Sequence, residues 1–134
     1  MTSMVLDCSS VLAWFFEDER DADALRLMDA LAAARAHVPS LWPYEIANAM
    51  LVAERRGRLK ADSIADGMEA MEALDIVVEP GKTIERELVE LARQNSLSVY
   101  DASYLALAMQ LKIPLATRDK SLKRAAKAVG VKLF

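Results

Sequence analysis

The sequence predicts an α/β fold of three layers, in which a central, mostly parallel sheet carries helices on both faces. Short apolar runs alternate along the chain with longer segments whose apolar residues recur at helical spacing, a pattern typical of parallel sheets. Serine, aspartate, glycine and proline residues separate these segments as caps and turns. The chain has 134 residues, of which 54% are hydrophobic, so we expect a single domain over residues 1–134.

The first half of the chain begins with an apolar, β-branched run at residues 3–6, which predicts a strand. A helix capped by serine is expected next, in the segment VLAWFF. Residues 20–34 predict an amphipathic helix, whose apolar stripe comprises Leu25, Met28, Leu31 and Ala32. A short strand at residues 36–38 and a helix over residues 41–56, with Ser40 as its cap, complete this half.

The second half continues the alternation of the two periods. Residues 100–112 are apolar nearly all round, which predicts a helix that is buried on several sides. By the same criteria we expect strands at residues 75–79, 114–117 and 131–134, and helices over residues 64–74, 84–91 and 119–129.

The charge is unevenly distributed along the chain. Residues 112–134 contain seven basic side chains and one acid, Asp119, whereas the whole chain has a net charge of −3. A uniformly basic nucleic-acid-binding protein is therefore excluded, but a local basic face is not. A solvated helix face explains the same charges equally well.

The cysteine and histidine content limits the chemistry. A single cysteine, Cys8, cannot form an internal disulfide, and a single histidine, His37, excludes a structural zinc site of the Cys/His type. Any metal must therefore be bound by oxygen, and we assign neither residue a chemical role. No apolar stretch reaches the ~18 residues of a membrane span, and the amino terminus lacks the basic region of a secretory signal, so we expect a cytoplasmic protein.

Four carboxylates are candidates for a shared site. Asp7 follows the first predicted strand and Asp119 follows the strand at residues 114–117, so both belong at the edge where ligands bind in open α/β sheets. Asp101 begins the most apolar helix, and Glu45 interrupts an apolar first turn. Two carboxylates ~5 Å apart repel by roughly 3 kcal/mol, which a cation or raised pKa values must relieve. Hard oxygen ligands favour Mg²⁺ or Mn²⁺ and a phosphate-containing substrate.

Each of these acids also has a simpler explanation. Asp7, Asp101 and Asp119 could each be a helix N-cap, worth about 1 kcal/mol. Glu45 could be placed in a first turn by the helix dipole alone. Taken one at a time, the two explanations are equally good, and only the expected convergence of the acids favours a metal site.

Four segments, VLDCSSVLAWFFEDE, PSLWPYEIANAM, SVYDASYLALAM and PLATRDKSLKRAAKAVGV, together resemble the PIN-domain ribonucleases of the VapC toxin type. The resemblance covers nearly the full chain. It implies a PIN-like three-layer sandwich and a divalent-metal-dependent endoribonuclease, with Mg²⁺ or Mn²⁺ as its cofactor. Such an enzyme hydrolyses RNA phosphodiester bonds and leaves a 5′ phosphate.

The resemblance also implies roles for individual residues. The catalytic, metal-binding quartet comprises Asp7, Glu45, Asp101 and Asp119. Asp7 and Asp101 are expected to bind the ion directly, and Glu45 directly or through water. Asp119 would complete the site or orient the attacking water. The polar residues at the supporting positions are Ser9 and Thr117.

RNA binding is expected near the carboxyl terminus. Lys120, Lys123 and Lys127 fall on one face of the predicted last helix, where phosphate contacts would be independent of base sequence. Arg118 is a candidate phosphate clamp, or else an ordinary surface residue.

The resemblance further implies a homodimer and a small antitoxin protein that blocks the site. The aromatic residues that could line a groove for that partner are Trp14, Phe15 and Phe16. Aromatic residues at this spacing are more often part of the core.

Other functional classes fit the sequence less well. A phosphoacceptor signalling domain needs an acidic pair after the first strand, but Asp7 is followed by Cys8 and Ser9. A phosphatase with a DxD motif is disfavoured by the same serine. A catalytically inactive, protein-binding module of the same fold is the remaining alternative, and the complete acidic quartet argues against it.

Overall fold

A four-stranded parallel sheet forms the centre of the computed structural model, which describes residues 2–81 and 84–134. The strands lie in the order β3-β2-β1-β4, and they are β1 (Thr2–Leu6), β2 (Ala34–Pro39), β3 (Ile76–Glu79) and β4 (Leu115–Ala116). Beyond β4, Leu133 forms one parallel bridge with Leu115. The strand predicted at residues 131–134 is thus reduced to this bridge.

Helices cover both faces of the sheet, as the sequence predicts. Along the described ranges they are α1 (Cys8–Leu12), α2 (Ala22–Leu31), α3 (Trp42–Arg55), α4 (Ala61–Glu72), α5 (Glu85–Asn95), α6 (Val99–Leu111) and α7 (Lys120–Val129). Because parallel crossovers are right-handed, α1 to α4 lie on one face and α5 to α7 on the other. The contacts agree, since α6 packs on β1, β2, β4, α5 and α7, whereas α1 packs on α2 and α3. The three-layer α/β prediction is confirmed.

The order of the strands reverses between β1 and β4. The chain adds β2 and β3 on one side of β1 and returns to place β4 on its other side. The backbone N–H of Asp7 donates to the carbonyl of Ala116 at 2.9 Å, which holds the carboxyl ends of β1 and β4 together. Such a topological switch point leaves a crevice where open α/β sheets bind ligands.

The core is built around β1 and the middle of α6. Met4, Val5 and Leu6 are completely buried, as are Tyr104 and Leu105 on α6. The ends of α6 are open to solvent at Val99, Tyr100 and Met109. The prediction that this helix is buried on several sides is therefore confirmed for its centre and wrong for its ends. No helix of residues 2–81 and 84–134 is long and apolar enough to cross a membrane.

The segment after β1 differs from the prediction. α1 ends at Leu12, so most of the segment VLAWFF forms a turn and not a helix. The turn is held by tertiary hydrogen bonds, from Trp14 Nε1 to the carbonyl of Ala24 at 3.2 Å and from Arg20 Nη2 to the carbonyl of Trp14 at 2.7 Å. Helical spacing of the apolar residues does not reveal these bonds.

Two predicted serine caps are also wrong. α1 starts at Cys8, so Asp7 occupies its N-cap position, and Ser9 and Ser10 lie inside the helix. Leu41, and not Ser40, occupies the N-cap position of α3, where it makes no side-chain capping bond.

Gly67 lets the ring of Phe15 pack against the backbone of α4. A Cβ atom at Gly67 would lie 1.9 Å from Phe15 Cε1. We expect Gly67→Ala to destabilise the protein by about 1–2 kcal/mol, although alanine is favoured over glycine by about 1 kcal/mol in a helix. Thermal unfolding measures the effect, with Ser63→Ala at an exposed position of the same helix as control. An unchanged or higher Tm for Gly67→Ala would contradict the close packing.

Candidate active site

Asp7 lies at the switch point, directly after β1, with 5% of its surface exposed. Its Oδ2 accepts hydrogen bonds from Ser9 Oγ at 2.7 Å and from Thr117 Oγ1 at 2.6 Å. Burial raises the pKa of Asp7 in spite of these two bonds, and the charge of Asp119 raises it further. The two hydroxyl groups therefore orient the carboxyl group of Asp7 but do not offset the effect of burial on its pKa.

Ser9 and Thr117 join the ends of β1 and β4 through this carboxylate. Thr117 Oγ1 also accepts from the backbone N–H of Asp119 at 3.1 Å, and Ser9 Oγ accepts from the backbone N–H of Arg118 at 3.0 Å. Each hydroxyl thus donates to Asp7 and accepts from the loop that leads into α7. These bonds fix the loop relative to the acid.

The helix-cap explanation is correct for only one of the three aspartates. Asp119 is the N-cap of α7, and its Oδ1 accepts from the backbone N–H of Leu122 at 2.8 Å. Asp7 makes no side-chain capping bond to α1. The cap of α6 is Ser98, whose Oγ accepts from the backbone N–H of Asp101 at 3.0 Å. The carboxylates of Asp7 and Asp101 therefore need another explanation.

Glu45 and Asp101 complete the acidic group. Burial raises the pKa of Glu45, and the charges of Asp7 and Asp101 raise it further. Burial likewise raises the pKa of Asp101, followed by the charges of Asp7 and Asp119. Each of these shifts reports that the side chains lie within reach of one another's charge. The charges of all four predicted acids thus act on one another near the carboxyl ends of β1 and β4, and we call this group of side chains the acidic crevice.

Tyr104 is a site residue that the sequence reasoning missed. Its buried hydroxyl donates to Glu45 Oε1 at 2.5 Å. Burial and the bond to Glu45 raise the pKa of Tyr104, so that it keeps its proton. A tyrosine in the middle of an apolar helix was the available signal, because a buried hydroxyl needs a hydrogen-bond partner.

Arg118 is engaged with Asp21, a second residue that the sequence reasoning missed. Its guanidinium donates from Nη1 to Asp21 Oδ1 at 2.9 Å and from Nη2 to Asp21 Oδ2 at 2.8 Å. Asp21 is also the N-cap of α2, and the bond from Arg118 lowers its pKa. The sequence did not predict this ion pair, and the role of Arg118 as a phosphate clamp stays a prediction. The residue forms a bidentate ion pair with a carboxylate that is 97 positions away in the chain.

The three lysines of α7 differ in their surroundings. Lys120 and Lys127 are exposed. Lys123 is half-buried and lines a cavity that it shares with Thr117. Of the three lysines, Lys123 alone lines this cavity.

Neither Cys8 nor His37 contributes a reactive group. Burial, with the charges of Glu45 and Asp7, raises the pKa of the Cys8 thiol to about 12, so the thiol is protonated at neutral pH and is not a nucleophile. His37 Nδ1 lies 2.7 Å from Glu79 Oε1, in a pair that links β2 to β3.

The donors of the acidic crevice suit a hard divalent cation. The pKa values of Asp7, Glu45 and Asp101 are raised by burial and mutual repulsion, which a bound cation would relieve. Within residues 2–81 and 84–134, no group of three or more histidine, cysteine, aspartate and glutamate side chains is arranged so that it could hold a metal ion. Mg²⁺ in proteins commonly binds one or two carboxylates and keeps several waters, so the crevice fits an ion of this kind.

Comparison with known proteins identifies the family. Residues 4–128 match the PIN domain. This chain belongs to the PIN-domain family. The domain is 30% identical over 121 residues to Ribonuclease VapC3 of Pyrobaculum aerophilum, covering 89% of this chain and 91% of that protein. It is 36% identical over 119 residues to Ribonuclease VapC9 of Mycobacterium tuberculosis, covering 87% of this chain and 85% of that one.

A solved structure supports the fold of this PIN domain. The crystal structure of PAE2754 from Pyrobaculum aerophilum aligns with a TM-score of 0.68 and 21% identity, over 92% of this chain and 79% of that one. The resemblance found in the sequence is thus confirmed at the level of the family and the fold. Membership of this family removes the phosphoacceptor domain and the DxD phosphatase as alternatives.

Proposed function

We propose that this PIN domain is a divalent-metal-dependent endoribonuclease that hydrolyses RNA phosphodiester bonds in the cytoplasm as the toxin of a toxin–antitoxin pair. The observation that carries the proposal is the convergence of four acids at the switch point, in a chain 30% identical to one VapC ribonuclease and 36% identical to another. The four acids are Asp7, Glu45, Asp101 and Asp119.

Mg²⁺ or Mn²⁺ bound at the acidic crevice would polarise the scissile phosphate and lower the pKa of a water molecule for in-line attack. Asp7, oriented by two hydroxyl groups, and Asp101 would bind the ion directly. Glu45, oriented by the hydroxyl of Tyr104, would bind it directly or through water. Asp119, held at the start of α7, would complete the site or orient the attacking water. Displacement of the 3′ oxygen leaves a 5′ phosphate on the product.

An assay with purified protein and single-stranded RNA tests the proposal. We expect cleavage with Mg²⁺ or Mn²⁺, products that carry 5′ phosphates, and loss of cleavage in EDTA that is restored by excess Mn²⁺. Cleavage that persists in EDTA would contradict the metal-dependent mechanism. Absence of cleavage with either metal would favour the inactive, protein-binding module.

Tyr104→Phe tests the role of the hydroxyl that orients Glu45. We expect the cleavage rate to fall about 10–100-fold, as is usual when a group that orients a metal ligand is removed. Loss of this bond also raises the pKa of Glu45, so the rise of the rate with pH should move to higher pH. Tyr44→Phe, at a tyrosine that is 79% exposed, is the matched control and should leave rate and pH profile unchanged. A reduced rate without a displaced pH profile would indicate that Tyr104 is needed only for packing.

The family resemblance also leads us to propose a homodimer and a small antitoxin. Exposed apolar side chains on α6, among them Tyr100 and Met109, support an interface with a second copy. Trp14 and Phe15 are half-buried and line an open cleft of about 720 Å³, which supports a docking site for the antitoxin. Phe16 is buried and lines the same cleft.

A further inference from the structure

A cavity of about 250 Å³ opens beside the acidic crevice, and the mechanism above does not use it. Thr117 lines this cavity and also donates to Asp7, so the two spaces adjoin. A cavity of this volume accommodates several waters or a phosphate group. We call this cavity the flanking pocket, and its charged and aromatic lining comprises Asp21, Asp23, Arg26, Arg118, Lys123 and Phe134.

The flanking pocket places three basic side chains, together with the acids Asp21 and Asp23, beside a crevice that repels RNA. Arg26, Arg118 and Lys123 bring three basic groups to its wall. An RNA strand whose scissile phosphate lies among four carboxylates gains little affinity there, so neighbouring phosphates have to supply it. The phosphate one nucleotide away from the scissile bond is the first that can reach these basic groups.

Arg118 presents a fork that suits a phosphate. Its two parallel hydrogen bonds to Asp21 have the bidentate geometry that guanidinium groups also adopt with phosphate. A phosphate can therefore replace the Asp21 carboxylate without rearrangement of the arginine. Asp21 Oδ1 also accepts from the backbone N–H of Ala24 at 2.9 Å, so the carboxylate that a phosphate displaces from Arg118 is the one that caps α2.

Arg26 is held in place by an aromatic ring. Its guanidinium carbon lies 4.3 Å from the centre of the Phe134 ring, a cation–π contact that orients the planar group. Lys123 adds a flexible ammonium from α7 on the same cavity wall. The pocket thus combines two oriented guanidinium groups with one mobile cation.

We propose that the flanking pocket binds the phosphate adjacent to the scissile one in a single-stranded RNA, through Arg118, Lys123 and Arg26, and that Asp21 competes with this phosphate for Arg118. The inference rests on the proposed function, since it names a binding site for the same substrate. In this proposal, the carboxylate of Asp21 holds the guanidinium group of Arg118 in its bidentate orientation while RNA is absent, and it competes with the RNA phosphate for that group.

Asp21→Asn is the decisive variant, because asparagine keeps an oxygen for the N-cap of α2 but loses the competing charge. We expect it to bind a labelled single-stranded RNA in EDTA about 3–10-fold more tightly than wild type at low salt. The plot of log affinity against log salt should also become steeper by about 0.7, the value for one additional phosphate contact on a single strand. If the ion pair were only structural, the variant would bind RNA equally or less tightly.

Lys123→Ala is the second variant, and we expect weaker binding with a salt slope shallower by about 0.7. Arg124→Ala removes the same charge from an exposed position of α7 outside the pocket and serves as the matched control. An Asp21→Asn variant without tighter binding, or equal losses in Lys123→Ala and Arg124→Ala, would overturn the proposal. Failure of the proposed function would be visible separately, as absence of Mg²⁺-dependent cleavage by the wild-type protein.

Discussion

Asp101→Asn should reduce RNA cleavage by about 10³-fold or more and leave the protein folded. A divalent ion stabilises the charge of the transition state by several kcal/mol, and each 1.4 kcal/mol corresponds to a factor of ten in rate. Asparagine keeps the size of Asp101 but lacks the negative charge that the ion requires. Single-turnover cleavage under excess Mg²⁺ measures the loss, and Asp7→Asn should give a loss of similar size.

The matched control for Asp101→Asn is Asp62→Asn. Asp62 occupies the first turn of α4 as Asp101 occupies the first turn of α6, but it is exposed and lies outside the acidic crevice. We expect wild-type cleavage from this control. Because repulsion and burial raise the pKa of Asp101, its replacement should also leave the metal-free protein at least as stable as wild type. A variant at Asp101 that cleaves like the control would remove the acid from the mechanism.

Divalent cations should raise the Tm of the protein strongly at about pH 7.5 and weakly at about pH 5. Burial raises the pKa of Asp7, Glu45 and Asp101 above the ordinary values of 3.8, 4.5 and 3.8. Their ionised forms therefore cost more in the folded than in the unfolded protein. As pH rises from these ordinary values through the raised ones, the free energy of unfolding of the metal-free protein should fall.

A bound cation reverses this loss only where the carboxylates are ionised. At a metal concentration of 100 times Kd, binding stabilises the folded state by about 2.7 kcal/mol, which is several degrees in Tm for a domain of this size. Asp21 acts in the opposite direction, because its pKa is lowered by Arg118 and its contribution to stability is lost as pH falls below 3.8. Thermal unfolding with and without Mg²⁺ or Mn²⁺ at the two pH values measures the difference. An equal rise of Tm in Asp101→Asn, or a larger rise at low pH, would contradict a metal site at these acids.

The layered fold and the position of the acids were predictable because both depend on local pattern. Asp7 directly follows an apolar strand and Asp119 closely follows another, and parallel strands bring their carboxyl ends to one edge. The placement of Asp101 at the start of a buried helix is equally local. These three expectations needed only the alternation of strand and helix.

The features that the sequence did not reveal depend on contacts between distant segments. The apolar stripe of α2 comprises Ala24, Leu27 and Leu31, whereas Leu25 and Met28 are exposed. Helical periodicity permits either set, and packing of α2 against α1 and β2 decides between them. The pairing of Asp21 with Arg118 was not predictable either, because it joins two segments that are distant in the chain and neither local sequence indicates a partner.

The strand that precedes Thr117 is short, which makes the acidic crevice sensitive to changes at the edge of the sheet. β4 has two residues, and its outer side is secured by hydrogen bonds of Leu115 with Lys132 and Phe134, at 2.9 and 3.0 Å. Fraying of the carboxyl-terminal tail would loosen β4, and with it the hydroxyl that steers Asp7. The carboxyl-terminal tail therefore stabilises the position of the Asp7 carboxylate indirectly, through β4 and Thr117.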